Sequence, residues 1–88
     1  MEVLYLNSFK KDIKKLRNKK LKTALKAALI DLENSEDLFN FKNLKKIKGH
    51  TNYYRIKIDG FRLGIYCLNG TIQVCRFVKR NDIYKVFR

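Results

Sequence analysis

Basic and aromatic side chains alternate with apolar ones along the segment YYRIKIDGFRLGIY. Arg55 and Lys57 precede an Asp-Gly pair, and Arg62 follows it. A second basic and aromatic group, with Arg80 and Tyr84, lies near the C-terminus. Arginine presents a rigid two-pronged fork to phosphate oxygens, and clustered cations stabilise negative charge that develops in a transition state. These residue types therefore indicate chemistry on a phosphate group.

A cation cluster of this kind can cut RNA without a metal ion, because the 2′-hydroxyl of RNA can attack the neighbouring phosphate. The reaction needs a base for that hydroxyl, positive charge for the transition state, and help for the leaving 5′-oxygen. Lys57 is crowded by Arg55 and Arg62, so it is expected to give up its proton more readily than an isolated lysine and could act as the base. Tyr84 or Tyr53 could stack on an unstacked RNA base.

A β-hairpin with its turn at Asp59-Gly60 is expected to position these residues. Asp-Gly between alternating apolar and polar residues is typical of a type I′ turn, in which both central residues have positive φ. Such a turn fixes the register and places Lys57 opposite Arg62. Because side chains alternate along a strand, one face is predicted to carry Tyr54, Ile56, Ile58, Phe61, Leu63 and Ile65, and the other Tyr53, Arg55, Lys57, Arg62 and Tyr66, with a gap at Gly64.

Hydrophobic periodicity predicts the remaining elements. They are a strand over residues 2–6, a helix from a cap at Asn7 or Ser8 to about Arg17, a helix from about Lys20 to Glu33, a strand after a turn at Asn69-Gly70, and a helical turn with Ile83, Tyr84 and Phe87. The expected fold is a single α+β domain over residues 1–88 with the order β-α-α-β-β-β. A two-helix hairpin covers one face of a mainly antiparallel sheet, and the other face stays open and basic.

The segment between the second helix and the β-hairpin is expected to be irregular or briefly extended. Leu44 and Ile47 are interpreted as apolar anchors, with Lys45, Lys46 and Lys48 pointing away from them. Leu38, Phe39 and Phe41 are expected to cap one end of the core. His50, in the loop before the β-hairpin, is read as a surface residue, with a catalytic role as the alternative.

Arg76 falls on the core face in a regular strand register, which is unfavourable for a charged side chain. Two alternatives remain at this point: a β-bulge intervenes, or the end of the strand is open to solvent. The same register puts Cys67 and Cys75 on opposite faces of the sheet, so two buried free thiols are expected rather than a disulfide. With one histidine and no cysteine pair at metal-ligand spacing, neither a metal site nor another cofactor is expected.

The formal net charge of the 88-residue chain is +13, from 21 basic and 8 acidic residues. Self-repulsion of this size disfavours the compact state, so an acidic partner is expected. Nucleic acid, an acidic protein and an anionic membrane surface are the candidates. No apolar run is long enough to span a membrane, and no signal peptide is recognised, so a cytoplasmic location is expected. The lysine-rich helices could form a solvated outer face, or they could bind a polyanion without sequence specificity.

The segments LKKIKGHTNYYRIKIDGFRLGIY and CRFVKRNDIYKVF resemble the RelE/ParE superfamily of toxins from bacterial type II toxin–antitoxin systems. The resemblance covers essentially the whole chain and implies the RelE-like microbial RNase fold. RelE-type members are ribosome-dependent endoribonucleases that cut messenger RNA, ParE-type members inhibit DNA gyrase, and both are neutralised by a small antitoxin. The resemblance therefore implies an mRNA-cleaving toxin with an acidic antitoxin and ribosome-bound mRNA as partners. The alternatives are a gyrase inhibitor of the ParE type and an inactive relative that only binds RNA or antitoxin.

Matching residues to the RelE pattern implies a catalytic set of Arg55, Lys57, Arg62, Arg80 and Tyr84. Further basic and aromatic residues are assigned to RNA binding: Lys45, Lys46, Lys48, Tyr53, Arg76 and Lys79. The sequence departs from the pattern at three points. Arg55 stands where lysine is frequent, the spacing from Arg80 to Tyr84 is shorter than in the founding member, and Lys79 stands where many relatives have histidine. The chain therefore lacks a conventional acid–base pair.

Overall fold

The computed structural model describes residues 1–38, 41 and 43–86, and its sheet runs in the order β1-β5-β4-β3-β2. Neighbouring strands are antiparallel except β1 and β5, which are parallel. The α+β prediction is confirmed, and the segment expected to be irregular or briefly extended contributes the short edge strand β2. The elements are β1 (Glu2–Tyr5), α1 (Asn7–Lys15), α2 (Lys19–Asn34), β2 (Leu44–Lys46), β3 (Tyr53–Ile58), β4 (Phe61–Leu68), β5 (Thr71–Lys79) and α3 (Ile83–Val86).

The β3–β4 hairpin has the predicted register, with Lys57 opposite Arg62. The type I′ prediction is wrong at this turn, because Asp59 has a φ of 52° whereas Gly60 lies outside the left-handed region. The carbonyl oxygen of Asp59 accepts a hydrogen bond from Arg62 Nη1 at 3.0 Å, and that of Gly60 accepts one from the Arg80 amide at 3.0 Å. These bonds fix the orientation of the turn peptides.

The predicted core face of the β-hairpin packs against both long helices. Ile56, Ile58, Leu63 and Ile65 are buried there in one cluster with Phe9 and Leu16 from the α1 segment and Leu21, Leu25 and Leu32 from α2. Asn18 caps α2, its Oδ1 accepting a hydrogen bond from the Leu21 amide at 3.1 Å. The cap predicted for α1 is wrong: Leu6 is the N-cap residue, and the Ser8 hydroxyl donates instead to the Cys75 carbonyl at 2.6 Å.

The β-bulge alternative at Arg76 is the one the structure shows. Gly64 pairs with Arg76 while Ile65 pairs with Val74, so Cys75 is an extra residue in β5. The bulge moves Arg76 off the core face and lets Phe77 enter the core, where it is 3% exposed. Cys75 is buried and Cys67 half-buried, and both are free thiols. Burial raises the pKa of the Cys75 thiol to about 11.

Asp12 of α1 is hydrogen-bonded to the bulged part of β5. Its carboxylate accepts hydrogen bonds from Arg76 Nε at 2.7 Å, Arg76 Nη2 at 3.1 Å and the Phe77 amide at 3.0 Å. β1 pairs only with residues 71–74 of β5, so Asp12 occupies the strand edge that β1 leaves unpaired. The Asp12 side chain is only 9% exposed, which makes these bonds costly to lose.

The face opposite α1 and α2 is partly covered by α3, which packs on β5. Ile83 is fully buried outside the main core cluster. The prediction that Leu44 and Ile47 are apolar anchors is confirmed, because Leu44 packs against the main core and Ile47 is only 1% exposed. The two side chains lie on opposite faces of the sheet. The predicted positions of Phe39 and Phe87 lie outside the described residues. No helix in the described part of the chain is both long and apolar enough to cross a membrane.

Replacing Asp12 by alanine is expected to lower the free energy of unfolding by about 2 kcal/mol, because the half-buried Arg76 guanidinium and the amide of the buried Phe77 lose their acceptor. Urea denaturation followed by circular dichroism measures the change. The matched control is Asp31→Ala, which removes an exposed carboxylate of α2 and should change stability by less than about 0.5 kcal/mol. Equal changes in the free energy of unfolding for the two substitutions would contradict the conclusion that the hydrogen bonds of Asp12 stabilise the fold.

Candidate functional site

A polar cavity of about 540 Å³ opens on the sheet face opposite α1 and α2. The five residues assigned to catalysis, which come from β3, β4 and the segment after β5, all line this cavity. Alternation along β3 and β4 puts Arg55, Lys57 and Arg62 on one face, and the chain returns across that face after β5. The lining residues are Asn43, Lys45, Arg55, Lys57, Arg62, Arg80, Asn81 and Tyr84, and we call this space the cationic cavity.

Arg62 forms the floor of the cationic cavity and is only 6% exposed. Its Nη1 donates to the carbonyl oxygens of Asp59 and Phe61, at 3.0 and 2.9 Å, which holds the guanidinium in one orientation. Its buried Nε makes no hydrogen bond to any described residue. Burial, together with the neighbouring charges of Arg55 and Arg80, lowers the pKa of the Arg62 guanidinium. A buried cation held among other cations is poised to receive an anion.

Arg55 and Tyr84 form the wall above Arg62. The guanidinium carbon of Arg55 lies 5.6 Å from the centre of the Tyr84 ring, a cation–π contact between β3 and α3. Tyr84 is 52% exposed, so one side of its ring remains open to a ligand. The backbone amide of Arg80 donates to the Gly60 carbonyl, which fixes the segment that carries Arg80 and Tyr84 to the β3–β4 turn.

The structure brings only one of the residues assigned to RNA binding into the cationic cavity. Lys45 of β2 lines it, whereas Lys46 pairs with Tyr54 and therefore points to the opposite side of the sheet. Lys48 is exposed in the turn after β2.

Arg76 and Lys79 lie away from the cationic cavity. Arg76 is engaged by Asp12, and Lys79 pairs with Phe61 and lies beside a different cavity. By its pairing with Gly64, Arg76 falls on the same face as Arg55 and Arg62, but its guanidinium is bonded to Asp12. Lys79 falls on the other face, with Phe61.

Tyr53 belongs to an aromatic group beside the cationic cavity. Its ring centre lies 4.8 Å from that of Tyr66 and 5.7 Å from that of His50. All three residues are half-buried. His50 does not line the cationic cavity.

Two cavity residues were missed by the sequence reading, Asn43 before β2 and Asn81 after Arg80. An isolated asparagine in a loop is usually a turn former, so residue type gives no functional signal. The position of Asn81 between Arg80 and Tyr84 was the available clue. No group of three or more His, Cys, Asp or Glu side chains is arranged to hold a metal ion among the residues that the structure describes.

Comparisons with known proteins give three close parallels. The toxin RelE3 of Methanocaldococcus jannaschii is 36% identical over 88 residues, with 99% of each chain covered. The crystal structure of the RelB–RelE antitoxin–toxin complex from Methanococcus jannaschii matches with a TM-score of 0.82 and 35% identity, covering 97% of this chain and 99% of the other. The YoeB–YefM complex from Staphylococcus aureus shares the fold, with a TM-score of 0.69, 19% identity and coverage of 91% and 97%. A scan against models of protein families finds no match.

Inorganic phosphate is expected to bind in the cationic cavity and stabilise the protein, by about 1.4 kcal/mol at a concentration ten times its dissociation constant. Thermal unfolding at constant ionic strength, with chloride replacing phosphate, measures the effect. The stabilisation should be lost in Arg55→Ala and retained in Lys22→Ala, which removes an exposed charge from α2. Loss of the effect in both variants would mean that phosphate only screens the overall charge.

Proposed function

The chain belongs to the RelE family of toxins, and we propose that it is an endoribonuclease that cleaves messenger RNA on the ribosome. The observation that carries this proposal is the convergence of Arg55, Lys57, Arg62 and Arg80 on one cavity, beside an exposed Tyr84 ring. A surface that only bound a polyanion would need positive charge within reach but no buried, oriented guanidinium. Arg62 has both properties, since it is 6% exposed and held by two backbone carbonyls.

In the proposed reaction the scissile phosphate lies above Arg62, which pairs with one of the two non-bridging oxygens. Arg55 or Arg80 pairs with the other. The 2′-hydroxyl of the preceding ribose loses its proton to a base and attacks the phosphorus. The bond to the 5′-oxygen breaks as the new bond forms, and the leaving oxygen takes up a proton. The products are a 2′,3′-cyclic phosphate and a 5′-hydroxyl end.

Each side chain has a separate part in this proposal. Arg62 stabilises the charge on the phosphorane-like transition state, since oriented donors in a closed site are usually the largest catalytic contribution. Lys57, exposed at the rim and held through its backbone amide by the Asn43 carbonyl at 3.1 Å, is the candidate base. Tyr84 stacks on a base next to the scissile phosphate, while its contact with Arg55 keeps both side chains over the cavity.

We also propose a small acidic antitoxin as the natural partner. The net charge of +13 favours an acidic ligand, and the similar toxin from Methanococcus jannaschii was crystallised with its antitoxin RelB. An acidic segment of such a protein would neutralise the cationic cavity by occupying it or by displacing the short helix α3, which is only four residues long.

Arg62→Ala and, separately, Tyr84→Ala are expected to reduce mRNA cleavage by about 10²-fold or more, because each removes a group that acts on the transition state or positions the substrate. Mapping of mRNA 5′ ends after brief expression measures cleavage, and growth arrest reports toxicity. Lys22→Ala is the control and should remain toxic. Wild-type cleavage in both cavity variants would refute the site. Growth arrest by the wild type without new 5′ ends would favour gyrase inhibition instead.

Binding of the antitoxin is expected to abolish the stabilisation by inorganic phosphate, because both ligands require the cationic cavity. The test is to co-express the chain with the small acidic protein encoded beside its gene and to measure thermal unfolding of the complex with and without phosphate. A complex that is still stabilised by phosphate as strongly as the free toxin would place the antitoxin elsewhere. Failure of the two proteins to associate at micromolar concentration would contradict the partner itself.

A further inference from the structure

The cationic cavity contains two neutral amide side chains among its cations. Asn43 borders it on the β2 side and Asn81 on the β5 side, so the pair flanks the centre formed by Arg55 and Arg62. Both residues are exposed, and neither side-chain amide is hydrogen-bonded to another residue in the described part of the chain. Their donors and acceptors are therefore available to a ligand in the cavity.

The backbone around both asparagines is anchored. The Asn43 carbonyl accepts a hydrogen bond from the Lys57 amide at 3.1 Å, which ties it to the end of β3. Asn81 lies between the Arg80 amide, bonded to Gly60, and the Asp82 amide, which donates to the Lys79 carbonyl at 2.9 Å. Side chains on anchored backbone can present their amides to a ligand with little loss of entropy, which recognition of a base requires.

In the proposed reaction the cations of the cavity are engaged with the phosphate, and Tyr84 is engaged in stacking. Lysine and arginine at the phosphates carry no sequence information, and an aromatic ring stacks on any base. An asparagine amide offers one acceptor and two donors in a plane, and it pairs with adenine through two hydrogen bonds. The two amides are therefore the uncharged hydrogen-bonding side chains of the cavity that remain available for a base.

We propose that Asn43 and Asn81 form a base-recognition subsite that reads the nucleotides on either side of the scissile phosphate. This inference rests on the proposed function, because it takes single-stranded RNA as the ligand of the cationic cavity. The amide pairing favours adenine at the positions that the asparagines reach. The subsite sets which RNA sequences are cut, while the cations set how fast the bond breaks.

The test uses a pool of short RNAs with randomised sequence, in two forms. In the first form, 2′-O-methyl riboses remove the attacking hydroxyl, so that sequencing of the protein-bound fraction reports base preference without cleavage. In the second form, ordinary RNA is presented on ribosomes, and sequencing of the new 5′ ends reports preference in cleavage. The variants are Asn43→Leu and Asn81→Leu, which keep a side chain of similar size without hydrogen bonds, with Asn34→Leu at the exposed end of α2 as the matched control.

Each cavity variant is expected to reduce the preference at one nucleotide position by about 10-fold, since a bidentate amide–base pair contributes roughly that discrimination. The Asn34→Leu variant should keep the wild-type preference. Asn81→Asp supplies a second diagnostic outcome, because a carboxylate accepts from the cytosine amino group and should move the preference from adenine to cytosine.

Two results distinguish failure of this inference from failure of the proposed function. If the wild type cleaves RNA and both leucine variants keep its base preference in both pools, the subsite is refuted while the endonuclease proposal stands. If the wild type cleaves no RNA but shows a binding preference that the leucine variants lose, the endonuclease proposal fails and the subsite stands. Wild-type binding with no base preference in either pool would also overturn the subsite.

Discussion

The two-residue connection between β3 and β4 is the constraint on which the cationic cavity depends. It sets a register in which Lys57 faces Arg62 and Arg55 faces Gly64. A slip of one residue would turn every side chain of one strand to the other face and would bury the cations under α1 and α2. Arg62 reinforces the same turn, because its guanidinium bonds the carbonyls of Asp59 and Phe61. Arg62, the residue proposed to bind the scissile phosphate, thus also holds the turn that positions it.

Mutual repulsion among the cavity cations opposes folding, and the rest of the molecule compensates for it. Arg62 is buried next to two other arginines, an arrangement that disfavours its charged form. The compensation lies on the opposite face of the same strands, where Leu63 and Ile65 are fully buried. On each strand of the hairpin, the residues that face the cationic cavity therefore destabilise the fold, and the apolar residues that alternate with them stabilise it.

Local patterns in the sequence were sufficient to predict the hairpin register and the helical stripes, and the resemblance to RelE supplied the five residues that converge in the cavity. Long-range contacts were not predictable in this way. The hydrogen bonds of Asp12 join residues 64 or more positions apart, and nothing in the helix containing Asp12 indicates that β5 would need an acceptor there. The sequence indicates two alternatives at Arg76, a β-bulge or a strand end open to solvent. It does not decide between them, because the Asp12 carboxylate that bonds the bulged segment is distant in sequence. The sequence does not single out Asn43 and Asn81, because an asparagine that forms a turn and one that lines a cavity have the same kind of neighbours in the sequence.

The parallel pairing of β1 with β5 has a consequence for the order of events during biosynthesis. Among the described residues, β1 and the start of α1 bond to the backbone of β5, through contacts such as the Leu6 amide with the Val74 carbonyl and the Ser8 hydroxyl with the Cys75 carbonyl. A nascent chain that has not yet exposed β5 beyond the exit tunnel has no place to dock its N-terminal strand, and it also lacks Arg80 and Tyr84. Vectorial synthesis therefore delays the last steps of folding until β5 is available, so the cationic cavity is completed only late in biosynthesis.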